Sequence, residues 1–169
     1  MRTLSLALAG LLAFSACDSN DPEVRIGDAV DPANASQCLS GEVTVEDVTE
    51  TQAQAAFPTA TVVVDYTGTL ALASGETETF DTTVGDDGVS RPATFPLGGV
   101  VPGFRQGIGG REATDDLPGI DPMRIGERRR ITIPPNLGYG YAGRYNSAGD
   151  HVIPRCATLE FDVTLRDLL

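Results

Sequence analysis

A single short stretch of this chain can be a helix, while most of the sequence beyond residue 40 alternates like strand. In Pro102-Gly103-Phe104-Arg105-Gln106-Gly107-Ile108 the proline suits a first helical turn. Phe104 and Ile108 share a face four residues apart, and Gly109-Gly110 ends the segment. Residues 42–48 alternate with period two, and residues 60–68 are β-branched and stop at Gly68. Turn chemistry at residues 72–76 followed by Thr77-Glu78-Thr79-Phe80-Asp81 makes residues 60–81 a hairpin. Residues 92–97 read as a short strand at a sheet edge, because Pro92 and Pro96 each remove a ladder donor. Residues 128–133 and 157–165 complete the set, the latter with Leu159, Phe161, Val163 and Leu165 on one face. The expected class is α+β: a curved antiparallel β-sheet wrapped over one short α-helix, whose apolar stripe seals one face.

The chain has 169 residues, enough for one domain with appendages, and its 41% hydrophobic content supplies one core. Twelve basic residues, all arginine, stand against 24 acidic ones, for a net charge of -12. That balance argues against nucleic acid or an anionic membrane face as partner. The run Arg128-Arg129-Arg130 does not alter this. On an alternating strand Arg129 points away from its two neighbours, so the run reads as a solvated sheet face.

Residues 1–16 read as a signal peptide: Arg2 is a minimal positive region, and the apolar run at 4–14 is too short to span a bilayer. Ser15-Ala16-Cys17 resembles a bacterial lipobox with Phe14 where the pattern prefers Leu, which makes Cys17 the candidate lipidation site. The alternative is a plain secreted protein. Residues 17–40 are polar, rich in Asp, Pro and Asn, and cannot bury enough surface to offset their ordering entropy, so they read as a flexible tether. Residues 41–169 form the expected domain, with 111–122 as a surface insertion between the helix and a strand placed at Met123. A partner contact is the second reading of that insertion.

An ordered constellation then singles out a family. It comprises Tyr66-Thr67-Gly68, Phe80-Asp81, Val100-Val101-Pro102-Gly103-Phe104, Ile125-Gly126-Glu127-Arg128-Arg129-Arg130-Ile131, Tyr139-Gly140, Ile153-Pro154 and Ala157-Thr158-Leu159-Glu160-Phe161. Across roughly residues 41–169 the chain resembles FKBP-type peptidyl-prolyl cis-trans isomerases, in a bacterial lipoprotein form. The resemblance implies two catalytic positions: Asp81, a buried carboxylate facing the twisted carbonyl, and Tyr139, whose hydroxyl donates to a substrate carbonyl. It implies a substrate-binding wall of Tyr66, Phe80, Phe95 and Phe161, a floor at Phe104, backbone contacts at Val100 and Val101, and an apolar lip at Ile153.

Such a pocket needs no nucleophile, metal or cofactor, and the sequence offers no persuasive set: His151 is the one histidine, without a Ser/His/Asp arrangement. Rotation about a prolyl bond is slow because of partial double-bond character, with a barrier near ~20 kcal/mol. In the twisted state that conjugation and its charge separation are lost, so a dry aromatic pocket favours it over the planar amide. The implied function is prolyl isomerisation assisting the folding of exported proteins. The implied partners are proline-containing segments and rapamycin-like macrocycles, with a membrane reached only through the lipid, in a monomer. The rival is a non-catalytic peptide-binding or chaperone module of the same fold. Phe104, where most members carry Trp, and Ala93, near a position that is often aromatic, favour the rival; Tyr139 with Asp81 favours the enzyme. Residues 141–150 are expected to overhang the pocket as a polar loop.

With Cys17 lipidated, Cys38 and Cys156 remain. In an oxidising compartment two thiols are more often paired than free, so an intramolecular disulfide is expected. Cys156 is placed at the opening of the last strand, where the family pattern usually has Asn or His. The alternatives are a buried free Cys156 with a tail-borne Cys38, or pairing between chains.

Overall fold

The computed structural model describes residue 38, residues 40–71 and residues 76–169. The signal peptide, Cys17, residues 17–37 and 39 of the tether, and the turn at 72–75 lie outside the described residues. The described residues form eight strands and one α-helix, in chain order β1 Thr44–Thr49, β2 Thr61–Ala71, β3 Thr77–Thr82, β4 Ala93–Pro96, α1 Pro102–Gly109, β5 Arg128–Ile133, β6 Arg144–Tyr145, β7 His151–Ile153 and β8 Leu159–Leu168. The α+β expectation holds. A six-stranded antiparallel sheet runs β1-β5-β8-β2-β3, with β4 also on β2. One edge of β2 is shared in sequence: β4 takes Thr61 to Val64, and β3 takes Thr67 to Ala71 with a register shift between Gly68 and Thr69.

The sheet's inner face follows from period two. Leu159, Phe161, Val163 and Leu165 of β8, Ile131 and Ile133 of β5, and Val62, Val64 and Tyr66 of β2 are all buried on one core with Phe104 and Ile108 of α1. The helix approaches β5 closely because it presents bare backbone there. A Cβ added at Gly103 would overlap Ile133, and one at Gly107 would sit 2.6 Å from Ile131 Cδ1. Glycine in a helix is intrinsically unfavourable by about 1 kcal/mol relative to alanine, so these positions are set by packing.

Arg129 departs from the sequence reading. Arg128 and Arg130 face solvent and pair with Asp162, as a solvated face requires. Arg129 is 2% exposed. It donates to the Gly107 carbonyl at 2.8 Å and the Asp121 carbonyl at 2.7 Å, and pairs with Asp47. Its neighbours on the same face are Ile131 and Ile133, so period two carries the charged side chain inward, and carbonyls of Gly107 in α1 and of Asp121 beyond it are the acceptors that make burial tolerable.

The strand expected at Met123 is absent. Met123 is fully buried, but it lies in extended chain held by Ala56 N donating to its carbonyl at 2.8 Å and by its own N donating to Ile108 O at 2.8 Å. Residues 112–119 are mostly exposed, closed at their base by reciprocal Arg111–Ile120 backbone bonds of 2.9 and 2.8 Å. The last strand begins at Leu159, so Cys156 lies in the turn before it, at φ 57°.

Candidate functional site

An open cavity of about 350 Å³ sits over the first turn of α1. Its walls are Phe80, Phe95, Phe104 and Phe161, with Val100, Val101, Asp81 and Tyr139 at its margins. The rings form one connected cluster: Phe104 meets Phe161 edge-on at 4.9 Å, and Phe80 meets Phe161 at 5.5 Å. Offset and edge-to-face contacts of this kind hold ring orientation beyond what burial alone provides. Phe104 is placed by the helix start, where Pro102 occupies the first turn and Val101 is the N-cap residue.

Tyr66 stands behind this wall. It is buried, with ring centroids 5.9 Å from Phe95, 6.1 Å from Phe104 and 6.0 Å from Phe161, and it is not itself a lining residue. Its hydroxyl points at the margin and donates to Asp81 Oδ2 at 2.9 Å. Burial, then the Asp81 hydrogen bond and charge, push the Tyr66 phenol well above its ordinary value.

Asp81 corrects an expectation. It lines the cavity but is solvent-exposed, because β3 is an edge strand and Asp81 sits beside the Gly68/Thr69 register shift. Ile153 also differs: it is fully buried in the core and does not line the cavity, since its β7 position pairs with Arg144 and turns the side chain inward. Ala93 is partly buried against the core on β4 and contributes nothing to the lining.

Tyr139 follows a 3-10 turn over Pro135–Leu137. Gly138 N and Gly140 N both donate to Pro135 O, at 3.1 and 2.9 Å, and Gly140 takes φ 58°. The left-handed residue directly after Tyr139 is the physical reason for the glycine there. Among the described residues no group hydrogen-bonds the Tyr139 hydroxyl, which leaves its proton available at the cavity margin.

Residues 141–150, read from sequence as a polar loop, contain β6 and lead into β7. The two strands form a small hairpin, pinned by Asn146 Oδ1 accepting from Ala148 N and Asp150 N at 2.9 Å each and by Tyr145 stacked on His151 at 4.0 Å. The hairpin brings Arg144 to the cavity, where Gly99 also lines it; sequence reasoning missed both. A larger hollow of about 570 Å³ lies on the sheet's outer face, but Thr44, Glu46, Arg130, Glu160 and Asp162 line it. It lacks the apolar enclosure that a planar amide would have to enter.

Cys38 and Cys156 are bonded in the structure, with Cα atoms 5.0 Å apart, well inside the limit of about 7 Å for a bridge. Nearby, Asn136 and Gly41 exchange two hydrogen bonds of 3.0 and 3.1 Å.

Comparison with known proteins bears on the same residues. Residues 52–166 match the sequence model of a family described as FKBP-type peptidyl-prolyl cis-trans isomerase. FK506-binding protein 2 of Yarrowia lipolytica is 42% identical over 109 residues, covering 62% of this chain and 58% of that protein. The FKBP-type 22 kDa peptidyl-prolyl cis-trans isomerase of Escherichia coli is 34% identical over 122 residues, 70% of this chain and 47% of that one. The chain thus spans little more than half the length of these relatives, or less. Among solved structures, that of AtFKBP13 superposes with a TM-score of 0.61 at 29% identity, covering 75% of this chain and 93% of the other.

Proposed function

The chain belongs to the FKBP-type peptidyl-prolyl cis-trans isomerase family, and we propose that it catalyses rotation about X-Pro bonds in the cavity over α1. The observation that carries this is the juxtaposition of a ring-walled cavity with a hydroxyl free to donate at its margin. A proline ring seated among Phe80, Phe95, Phe104 and Phe161 would place its amide in apolar surroundings. There the planar, charge-separated amide loses hydration while the twisted one loses less. Tyr139 would donate to a substrate carbonyl. Asp81, held by Tyr66, would place a carboxylate beside the rotating carbonyl carbon. Val100 and Val101 would offer backbone groups to the extended peptide. The same enclosure supports binding of rapamycin-like macrocycles.

The protein's setting belongs to the same proposal. A signal sequence with lipidation at Cys17 would hold a monomeric domain at the outer face of a bacterial membrane, where exported chains fold. A relative from Arabidopsis thaliana, 38% identical over 81 residues, carries lumenal location in its name, which supports a non-cytosolic setting. A Cys38–Cys156 disulfide suits that compartment.

A peptide isomerisation assay tests the central claim. Acceleration of cis-to-trans exchange in a Leu-Pro peptide, abolished by filling the cavity with a macrocycle, is the expected result. Tight peptide binding with exchange at the uncatalysed rate would leave a binding module instead.

A further inference from the structure

Arg144 is the one basic residue among those lining the cavity, and Asp81 is the one acidic residue there. The two form no ion pair, and no carboxylate of the described residues pairs with Arg144. Six of the ten described arginines, Arg91, Arg111, Arg128, Arg129, Arg130 and Arg166, reach a carboxylate, while Arg144 shares its lack of one with Arg105, Arg124 and Arg155. Of those four, Arg144 alone lines the cavity. Arg144 instead lies 6.0 Å from the centroid of the Tyr139 ring, on a hairpin strand that pairs it with Ile153. Its charge is felt at Tyr66, where it opposes the upward shift.

Resting on the isomerase reading, we propose that Arg144 is a specificity-determining residue that selects segments carrying a carboxylate side chain next to the proline. A guanidinium against an aromatic face is oriented, and it keeps a fork of donors that fits a carboxylate in bidentate fashion. Arg144 is exposed and pairs with no carboxylate among the described residues, so a client's carboxylate can take that place. The protein's net charge of -12 repels acidic clients at long range. At physiological ionic strength that repulsion decays over about 8 Å, whereas the contact at the cavity margin operates within it.

The test uses NMR exchange on matched peptides bearing Glu or Gln immediately before the proline, and a second pair bearing them immediately after it. The wild-type protein is expected to show a Glu-to-Gln ratio of kcat/KM of roughly two to five in at least one pair, the range of an exposed ion pair. Arg144→Gln should bring that ratio to about one, Arg144→Glu should invert it, and 0.5 M salt should shrink it. A disrupted hairpin would lower all four rates without moving the ratio toward one. A wild-type ratio of one in both pairs, or a ratio that survives Arg144→Gln, overturns the proposal. If no peptide is turned over, the isomerase reading fails, and Arg144 is then judged on the Glu-to-Gln ratio of association constants. A preference for Glu that Arg144→Gln removes supports its role, and equal binding in the wild type overturns it.

Discussion

The Tyr66 hydroxyl donates to Asp81 Oδ2 at 2.9 Å, so a buried ring behind the cavity fixes a carboxylate at its exposed margin. Because the folded phenol is raised above its ordinary 10.0, it stays neutral where an unfolded one ionises. Its stabilising contribution is full below pH 10 and is lost as pH rises through the folded value. Subtracting the alkaline absorbance titration of Tyr66→Phe from that of the wild type should isolate a phenolate step well above pH 10. A difference step centred at 10 would show that the phenol is not held. In chemical denaturation, Tyr66→Phe is expected to cost about 0.5–1.5 kcal/mol, the usual net worth of one hydrogen bond.

Tyr139→Phe removes a donor and no ring. The loss of one hydrogen bond predicts a roughly two- to tenfold fall in kcat/KM with an unchanged melting temperature. Asp81→Leu should fall further, because it removes the charge that the proposed mechanism sets beside the rotating carbonyl, and it strands the Tyr66 hydroxyl. Full activity in both folded variants would relocate the site.

Gly107 seats the helix twice: it has no Cβ where Ile131 packs, and its carbonyl accepts from Arg129 Nη1 at 2.8 Å. Gly107→Ala gains helix propensity of about 1 kcal/mol. It also drives a methyl to 2.6 Å from Ile131 Cδ1, and overpacking of that kind costs about 1–3 kcal/mol. A net loss of stability is expected in urea unfolding. Gly98→Ala, with nothing within 4 Å, should stay close to the wild type. Arg129→Met should be worse, since it leaves the Gly107 and Asp121 carbonyls without their donor at about 1–3 kcal/mol for a buried one.

Arg129 also shows what could and could not be read from the sequence. The alternation that placed Leu159, Phe161, Val163 and Leu165 inside is local, and the structure buries all four. The same alternation aimed Arg129 inward. What made that burial possible, carbonyls at Gly107 and Asp121, lies in other elements that no local pattern reveals. Phe80, Phe95, Phe104 and Phe161 come together as the family motifs implied, because those motifs encode an arrangement already solved elsewhere. Arg144 was invisible for the opposite reason. Its place depends on a hairpin whose turn is built by Asn146 and whose strands are two and three residues long, too short to leave a periodic signature.

The Cys38–Cys156 bridge closes a loop with a sequence separation of 118. On the chain-entropy model a loop of that size contributes up to about 5 kcal/mol, reduced by any native strain. Cys38→Ser and Cys156→Ser should each lower the denaturation midpoint, and the double variant should match the singles. The oxidised protein should bind no thiol reagent at either position. Additive losses would show that the two residues act apart.

The bridge also decides where the domain can be gripped. β1 is an edge strand whose side chains are largely exposed, and it zips onto β5 alone. Tension entering from upstream of residue 38 would otherwise peel it away one ladder bond at a time. With Cys38 joined to Cys156, that pull bypasses β1. It arrives at the turn before β8, a strand clamped on both sides by β5 and β2, so the load falls on the middle of the sheet and not on its edge.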